Sequence, residues 1–177
     1  MSIFPISNYK NKLSLLDTEN CICLIKSNFQ KELSSILSLR RVSAPIFVEP
    51  STGLNDNLNG FESPVSFNTS ENYHLEIVQS LAKWKRNALK KYNLTGLYTD
   101  MNAIRKNENL DNFHSLYVDQ WDWEKVISEK DKNTDFLKDI VRKIYQAIKN
   151  TEQYICCKYP TLTSKLPDDI FFISDND

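Results

Sequence analysis

The sequence predicts a mixed fold of long helices and β-strands, on three observations. Two long stretches carry apolar residues at helical steps of three and four, Ser115 to Glu124 alternates with the period of a strand, and short β-branched or aromatic runs lie between. With 177 residues and 22 Lys+Arg against 23 Asp+Glu, a single near-neutral domain is expected and a basic nucleic-acid arm is not. Hydrophobic residues make up 41% and aromatics 11%, enough for a core, and no apolar run approaches the roughly 18–20 residues of a membrane span.

Taken in order, Ile22, Ile25, Phe29, Leu33, Ile36 and Leu37 form one stripe of a helix from Asp17 to Leu39. Val42 to Val48 reads as a strand whose Pro45 cannot donate to a ladder and so belongs at an edge or interface. Glu49 to Gly60 is the densest turn cluster and reads as a loop. Val65–Phe67 and His74–Val78 then make a hairpin with a loose turn. Ser80 is placed to cap a short helix, Leu81 to Lys90, with Leu81, Trp84, Ala88 and Tyr92 on its apolar stripe and cations between Lys83 and Lys91. Strands follow at Leu97–Ile104 and Ser115–Glu124, then a second long helix, Thr134 to Cys157, with Ile140, Ile144, Ala147, Ile148 and Ile155 inward. Leu166 to Ile173 reads as a turn entering a strand.

Several chemistries are excluded at once. Glycine occurs only at 53, 60 and 96, so neither GxGxxG nor GxxxxGK[ST] can be written and a glycine cradle for phosphate is ruled out. The cysteines, Cys21, Cys23, Cys156 and Cys157, fit neither a CxxC motif nor a zinc ribbon and read as free thiols in a reducing cytoplasm. Met1-Ser2-Ile3-Phe4-Pro5 lacks the basic and apolar regions of a secretory signal.

Candidate functional residues concentrate in the middle of the chain. Strand alternation puts Gln120 and Asp122 on the face of Leu116 and Val118, where a buried amide and carboxylate must be partnered or used, as in a pocket holding an ammonium or amide. The alternative is that the Trp121 and Trp123 face is core and the Leu116 face is solvated. Ser80 at a helix start, with Lys83 or Lys85 in the next turns, suits a small carboxylate, against the plainer role of an ordinary cap on a solvated helix. Arg105, ending a strand, carries a planar fork fit for a carboxylate or phosphate, although a lone arginine is commonly a surface residue. Asp56 has the turn chemistry of an Asx motif, and a further role depends on its neighbours. RNA contact by the Trp84 helix is disfavoured by the overall neutrality.

Gln79-Ser80-Leu81-Ala82-Lys83-Trp84-Lys85-Arg86, Gly96-Leu97-Tyr98-Thr99 and His114-Ser115-Leu116-Tyr117-Val118-Asp119-Gln120-Trp121-Asp122-Trp123-Glu124 together resemble the ammonia-dependent, type A asparagine synthetases. Asp56-Asn57-Leu58-Asn59-Gly60 and Leu166-Pro167-Asp168 extend the match, which runs in register from about Asn20 to Ile173. Gln79 departs from the histidine common there. The resemblance implies an α+β fold, an antiparallel β-sheet flanked by helices like the catalytic domain of class II aminoacyl-tRNA synthetases, working as a homodimer in which the first helix and the Pro45 strand build the interface.

It also implies an aspartate–ammonia ligase that activates the aspartate side chain with ATP as a β-aspartyl adenylate, after which ammonia displaces AMP. By family position Ser80, Lys85 and Gln120 bind substrate, and Asp56, Asp122 and Arg105 are catalytic, Arg105 offsetting the repulsion between carboxylate and α-phosphate. A buried carboxylate of the Asp56, Gln120 and Asp122 group takes the proton shed by the attacking nitrogen, and which carboxylate does so stays open. The family continues beyond Ile173, and the ATP clamp and the ligands of Mg²⁺ are expected there. A catalytically inactive product that dimerises or binds an amino acid is the alternative.

Overall fold

The computed structural model describes residues 9–56, 58, 60 and 62–173. The N-terminal pentapeptide, Asn57 and Asn59 of the turn cluster, and the last four residues lie outside them. The chain forms two compact units, one containing residues 39–126 and the other residues 9–38 and 127–173.

The second unit is a helix pair. Its first helix, α1 (Leu15–Leu37), starts two residues earlier than its apolar pattern suggests because Ser14 Oγ accepts from Asp17 N at 3.1 Å. It stops where Ser38 turns left-handed and its N–H reaches back to Ser34 and Ser35. The long helix that closes the unit is capped by Asn133, whose side chain accepts from Phe136 N at 2.9 Å, and spans Thr134–Lys158.

The two helices are tied by Asn28 Nδ2 to Thr151 Oγ1 at 3.2 Å and by Asn150 Nδ2 to Glu32 Oε2 at 2.7 Å. Cys21, Leu33 and Leu37 are buried on α1, as are Ala147, Thr151 and Ile155 on its partner. The expected inward stripe is therefore corrected: Leu33 and Leu37 go in, while Ile22 and Ile25 stay 47% and 37% exposed, because the helices meet along the Cys21 side. Leu166–Ile173 forms no strand among the described residues. Its carbonyls and side chains are held by polar groups of the closing helix, with Lys149 Nζ on Pro167 O at 2.9 Å and on Asp168 at 3.0 Å.

The first unit holds both sheets. Val42–Val48 is not one strand: the chain pairs at β1 (Arg40–Arg41) and β2 (Phe47–Val48), in different sheets, with Pro45 in the unpaired stretch between. A proline supplies no ladder donor, so the break falls there. A single 3-10 turn, Pro50–Thr52, follows and ends on Gly53 at φ 62°, where a residue without Cβ is favoured. The hairpin strands β3 (Ser66–Asn68) and β4 (His74–Ile77) pair antiparallel, and β4 also pairs with β2, giving the order β2-β4-β3.

Next comes α2 (Ala82–Tyr92), then β5 (Gly96–Ile104) and β6 (Tyr117–Lys125), which pair antiparallel over their full length. The two residues of β1 run parallel to β5, so the second sheet has the order β1-β5-β6. Val78, Leu81, Met101 and Ala103 form one buried cluster, and Ala88, Leu89 and Leu97 another, with Trp84 packed against both. These clusters seat α2 against the β5 face. The helix from Thr134 to Lys158 is α3.

Candidate active site

Residues directly opposite in an antiparallel pair share a face. Thr99 faces Asp122 and Met101 faces Gln120; Leu97 and Ala103 face Glu124 and Val118. Leu97, Thr99, Met101 and Ala103 are all buried, so the Gln120–Asp122 side of β6 is the inward one, and the alternative with a tryptophan core is excluded. Trp121 and Trp123 lie half-buried on the other face.

Lys85 reaches this inward face from α2. Its ammonium pairs with Asp122, donates to Trp123 O at 2.8 Å and lies 3.7 Å from Glu124 Oε2. The residue is only 5% exposed. A buried ammonium left alone is costly, so the carboxylate beside it is what permits its burial. Arg86 Nε stands 3.8 Å from the other oxygen of Glu124. Glu124 escaped the sequence-based assignment although the same alternation that pointed to Asp122 puts it two residues along the same face.

A second polar group gathers before α2. Asp56 is half-buried, and Lys83 Nζ is 3.9 Å from its carboxylate and 3.4 Å from Asn55 O. Gln79 Nε2 donates to Asp56 O at 3.4 Å. Asn55 and Gln79 are 8% and 3% exposed. Neither Asn55 nor Glu76, which it contacts, had a signal in the sequence beyond its place in a turn cluster or a strand.

Ser80 is not the helix cap. Leu81 takes that position without a side-chain bond, and Ser80 Oγ accepts from Ala82 N at 3.4 Å. Leu81 is wholly buried among Val78, Met101 and Ala103, so packing sets where the helix starts and the hydroxyl sits one residue outside it. Ser80 remains beside the Asp56 group through Gln79.

Arg105 and Gln120 do not meet. Arg105 N donates to Leu116 O at 2.8 Å, which continues the strand register and puts Arg105 on the inward face opposite Leu116. Gln120 is four residues further along β6, about 13 Å at strand rise. The structure thus brings Lys85 to Asp122 and Asp56 to the Gln79–Lys83 segment, all around α2, and leaves Arg105 at the far end of the same sheet face.

The loop from Arg105 to Leu116 has its own electrostatic pin. Asp111 accepts from Phe113 N at 2.7 Å and His114 N at 2.8 Å, and its Oδ1 is 2.9 Å from His114 Nδ1. The Phe113 and His114 hydrogen bonds hold the Asp111 carboxyl below its usual range, and the bond to Asp111 raises the His114 imidazole. Among the described residues no group of three or more His, Cys, Asp or Glu could hold a metal ion. No helix among the described residues is long and apolar enough to cross a membrane.

Comparison with known proteins bears on this geometry. A family model for aspartate-ammonia ligase matches residues 16–177. An aspartate–ammonia ligase of Fusobacterium nucleatum is 57% identical over 169 residues, 94% of this chain and 52% of its own length. One from Lactobacillus johnsonii is 51% identical over 98% of this chain and 53% of its own. The chain spans about half the length of the curated relatives it matches. Among solved structures, asparaginyl-tRNA synthetase from Pyrococcus horikoshii, complexed with asparaginyl-adenylate, has a TM-score of 0.58 at 13% identity, over 86% of this chain and 32% of its own. An ATP phosphoribosyltransferase regulatory subunit/histidyl-tRNA synthetase from Bacillus halodurans C also has a TM-score of 0.58, at 12% identity, over 85% of this chain and 40% of its own. The fold is thus that of class II synthetase-like catalytic domains.

Proposed function

The chain belongs to the aspartate–ammonia ligase family, and from that premise we propose that it forms the aspartate-binding part of an enzyme that makes L-asparagine from L-aspartate, ammonia and ATP. In the proposed reaction the side-chain carboxylate attacks the α-phosphorus and expels pyrophosphate, giving a β-aspartyl adenylate. Ammonia then displaces AMP and sheds a proton.

The observation that carries the proposal is the buried Lys85 ammonium paired with Asp122 on the inward face of β6. An ammonium has three donors, and here Asp122 and Trp123 O take two. Glu124, at 3.7 Å, is too far for a good third bond, so one N–H direction is left for a substrate carboxylate. Ser80 supplies a hydroxyl to the same amino acid. Asp122 keeps a second oxygen for the substrate ammonium, and Gln120, next on that face, orients the side chain that becomes the amide. Asp56 completes the anionic side of the pocket and, with Asp122, is a candidate to take the proton from ammonia. Arg105 offsets the repulsion between the two anions as they approach.

The ATP clamp and the Mg²⁺ ligands belong, on this proposal, to the part of the relatives' length that this chain does not span, and no step above runs through the ion. Both units then belong to a single catalytic domain. Leu15, Leu16 and Ile22 of α1, 82%, 71% and 47% exposed, support homodimerisation through that helix. Four free cysteines support a reducing, cytoplasmic setting.

The test is calorimetric titration of the purified chain with L-aspartate, followed by pyrophosphate release in the presence of ATP, Mg²⁺ and ammonia, with and without the complementary segment of a relative. Aspartate binding by the chain, and pyrophosphate only with the segment added, is expected. No binding, together with no pyrophosphate even after complementation, overturns the proposal.

A further inference from the structure

We propose that Asn55 is a positioning residue, whose side chain clamps the loop bearing Asp56 onto the end of β4 and the turn that leads to Ser80. The inference deepens the proposed aspartate site and rests on it for its functional consequence.

The Asn55 side chain has three partners in three places. Its Nδ2 donates to Glu76 Oε2 at 3.1 Å and to Ile77 O at 3.2 Å, while its Oδ1 accepts from Gln79 N at 2.9 Å. Glu76 and Ile77 end β4, and Gln79 immediately precedes Ser80. One short side chain thus joins a carboxylate, a carbonyl and an amide N–H. Only a side-chain amide presents two donors and an acceptor on so short a stem. Aspartate would keep the acceptor but set a second carboxylate against Glu76. Glutamine would carry the same groups one carbon further out.

Burial makes the clamp specific. Asn55 is 8% and Gln79 3% exposed, so water does not readily replace either partner when the amide is lost. The neighbouring residue is gripped as well: Gln79 Nε2 holds Asp56 O at 3.4 Å, and Lys83 Nζ holds Asn55 O at 3.4 Å. The position of the Asp56 carboxylate, 3.9 Å from Lys83, follows from these main-chain attachments. Asn55 acts through Asp56 and Ser80, by fixing how far apart and at what angle they face a bound amino acid.

Asn55→Ala and Asn55→Asp are compared with the parent chain in two measurements. Without ligand, hydrogen exchange at Gln79 N should accelerate at least about tenfold in Asn55→Ala, the effect of losing one good buried hydrogen bond. With aspartate, Kd should rise by about tenfold in both variants at neutral pH. In Asn55→Asp the deficit relative to the parent should shrink as pH falls and the new carboxyl takes a proton, since it can then donate to Glu76 or Ile77 O again. A purely structural role would not produce that pH profile.

Thr69→Ala is the control for general loosening, because Thr69 Oγ1 accepts from Tyr73 N at 3.1 Å within the β3–β4 turn. It should leave the aspartate Kd unchanged. Unaltered Gln79 exchange in Asn55→Ala, or an aspartate Kd unchanged in both Asn55 variants, overturns the inference. Should Asn55→Ala fail to fold, Asn55→Asp, which keeps the Gln79 bond, decides by its pH profile. Failure of the parent chain to bind aspartate counts against the substrate role of Asp56, and the exchange measurement then decides the clamp alone.

Discussion

Lys85 and Asp122 make a buried ion pair whose stability is measurable apart from the recognition proposed for it. The ammonium is almost fully buried and has no aqueous alternative, while Asp122 retains partial access to solvent. Asp122→Ala leaves that charge with the Trp123 carbonyl and the more distant Glu124, and a loss of about 3 kcal/mol is expected in urea denaturation of the chain. Aspartate binding should disappear in the same variant, and undiminished binding would remove Asp122 from the site. The Asp111–His114 pair makes a pH-dependent prediction of a different kind. His114 is raised from its ordinary 6.5, so its contribution is complete below that value and is lost as pH rises through the raised one. Asp111 is lowered from 3.8, so its contribution is complete above that value and is lost as pH falls through the lowered one. The loop should be most ordered between the two ordinary values. Amide exchange at Phe113 and His114 should be slowest in that window and faster on either side.

At the scale of elements, α3 is more than half of a helix pair. Glu152 and Lys149 lie on one side of it with Tyr145, and Arg142 and Lys138 continue the row toward the helix start. Glu152 accepts from Ser164 Oγ at 2.5 Å, Lys165 N at 2.7 Å and Leu166 N at 3.1 Å. Further along, Lys138 and Arg142 stand 5.4 and 5.1 Å from the Phe172 ring. The segment after the helix therefore folds back along it, held by side chains in place of a strand ladder. The Ser164 bond in particular lowers Glu152 from its ordinary 4.5, so this attachment persists above that pH and is lost as pH falls through the lowered value. Glu152→Ala should speed tryptic cleavage after Lys165 several-fold at neutral pH without unfolding α3, measured by mass spectrometry and circular dichroism. In the other unit, Leu97 is wholly buried beneath α2, and Leu97→Ala should cost about 2–4 kcal/mol by leaving a cavity under Ala88 and Leu89.

For the whole molecule, low net charge and exposed apolar surface act together. The formal charge is −1 and the isoelectric point about 6.1, so little electrostatic repulsion keeps copies apart near pH 6. Leu15, Phe113 and Phe171 are 82%, 94% and 86% exposed. Light scattering of the purified chain should show association rising toward pH 6, and Ile22→Glu should reduce any dimer seen by sedimentation at neutral pH. Much of this molecule is legible in the residues themselves. Both long helices, the hairpin and the β5–β6 pair follow from periods of 3.6 and 2, because each element must turn one apolar side inward. The inward side of Gln120 and Asp122 is readable for the same reason, whereas the class II synthetase likeness rests on the resemblance of separated runs such as Gln79–Arg86 and His114–Glu124 to a known family. Local pattern does not contain the distances between segments far apart in sequence. Val42–Val48 divides between two sheets because its partners, β5 and β4, lie elsewhere. Ser80 yields the helix start to Leu81 because a buried leucine outweighs a cap. Leu166–Ile173 has strand composition but meets the polar row of α3. Asn55 looks like turn punctuation until Glu76, Ile77 and Gln79 converge on its amide. Residue type and spacing determined which elements form and which face of each is apolar. Only the tertiary structure decided which polar groups are buried together, since their cost and their use depend on neighbours that the chain brings close by folding.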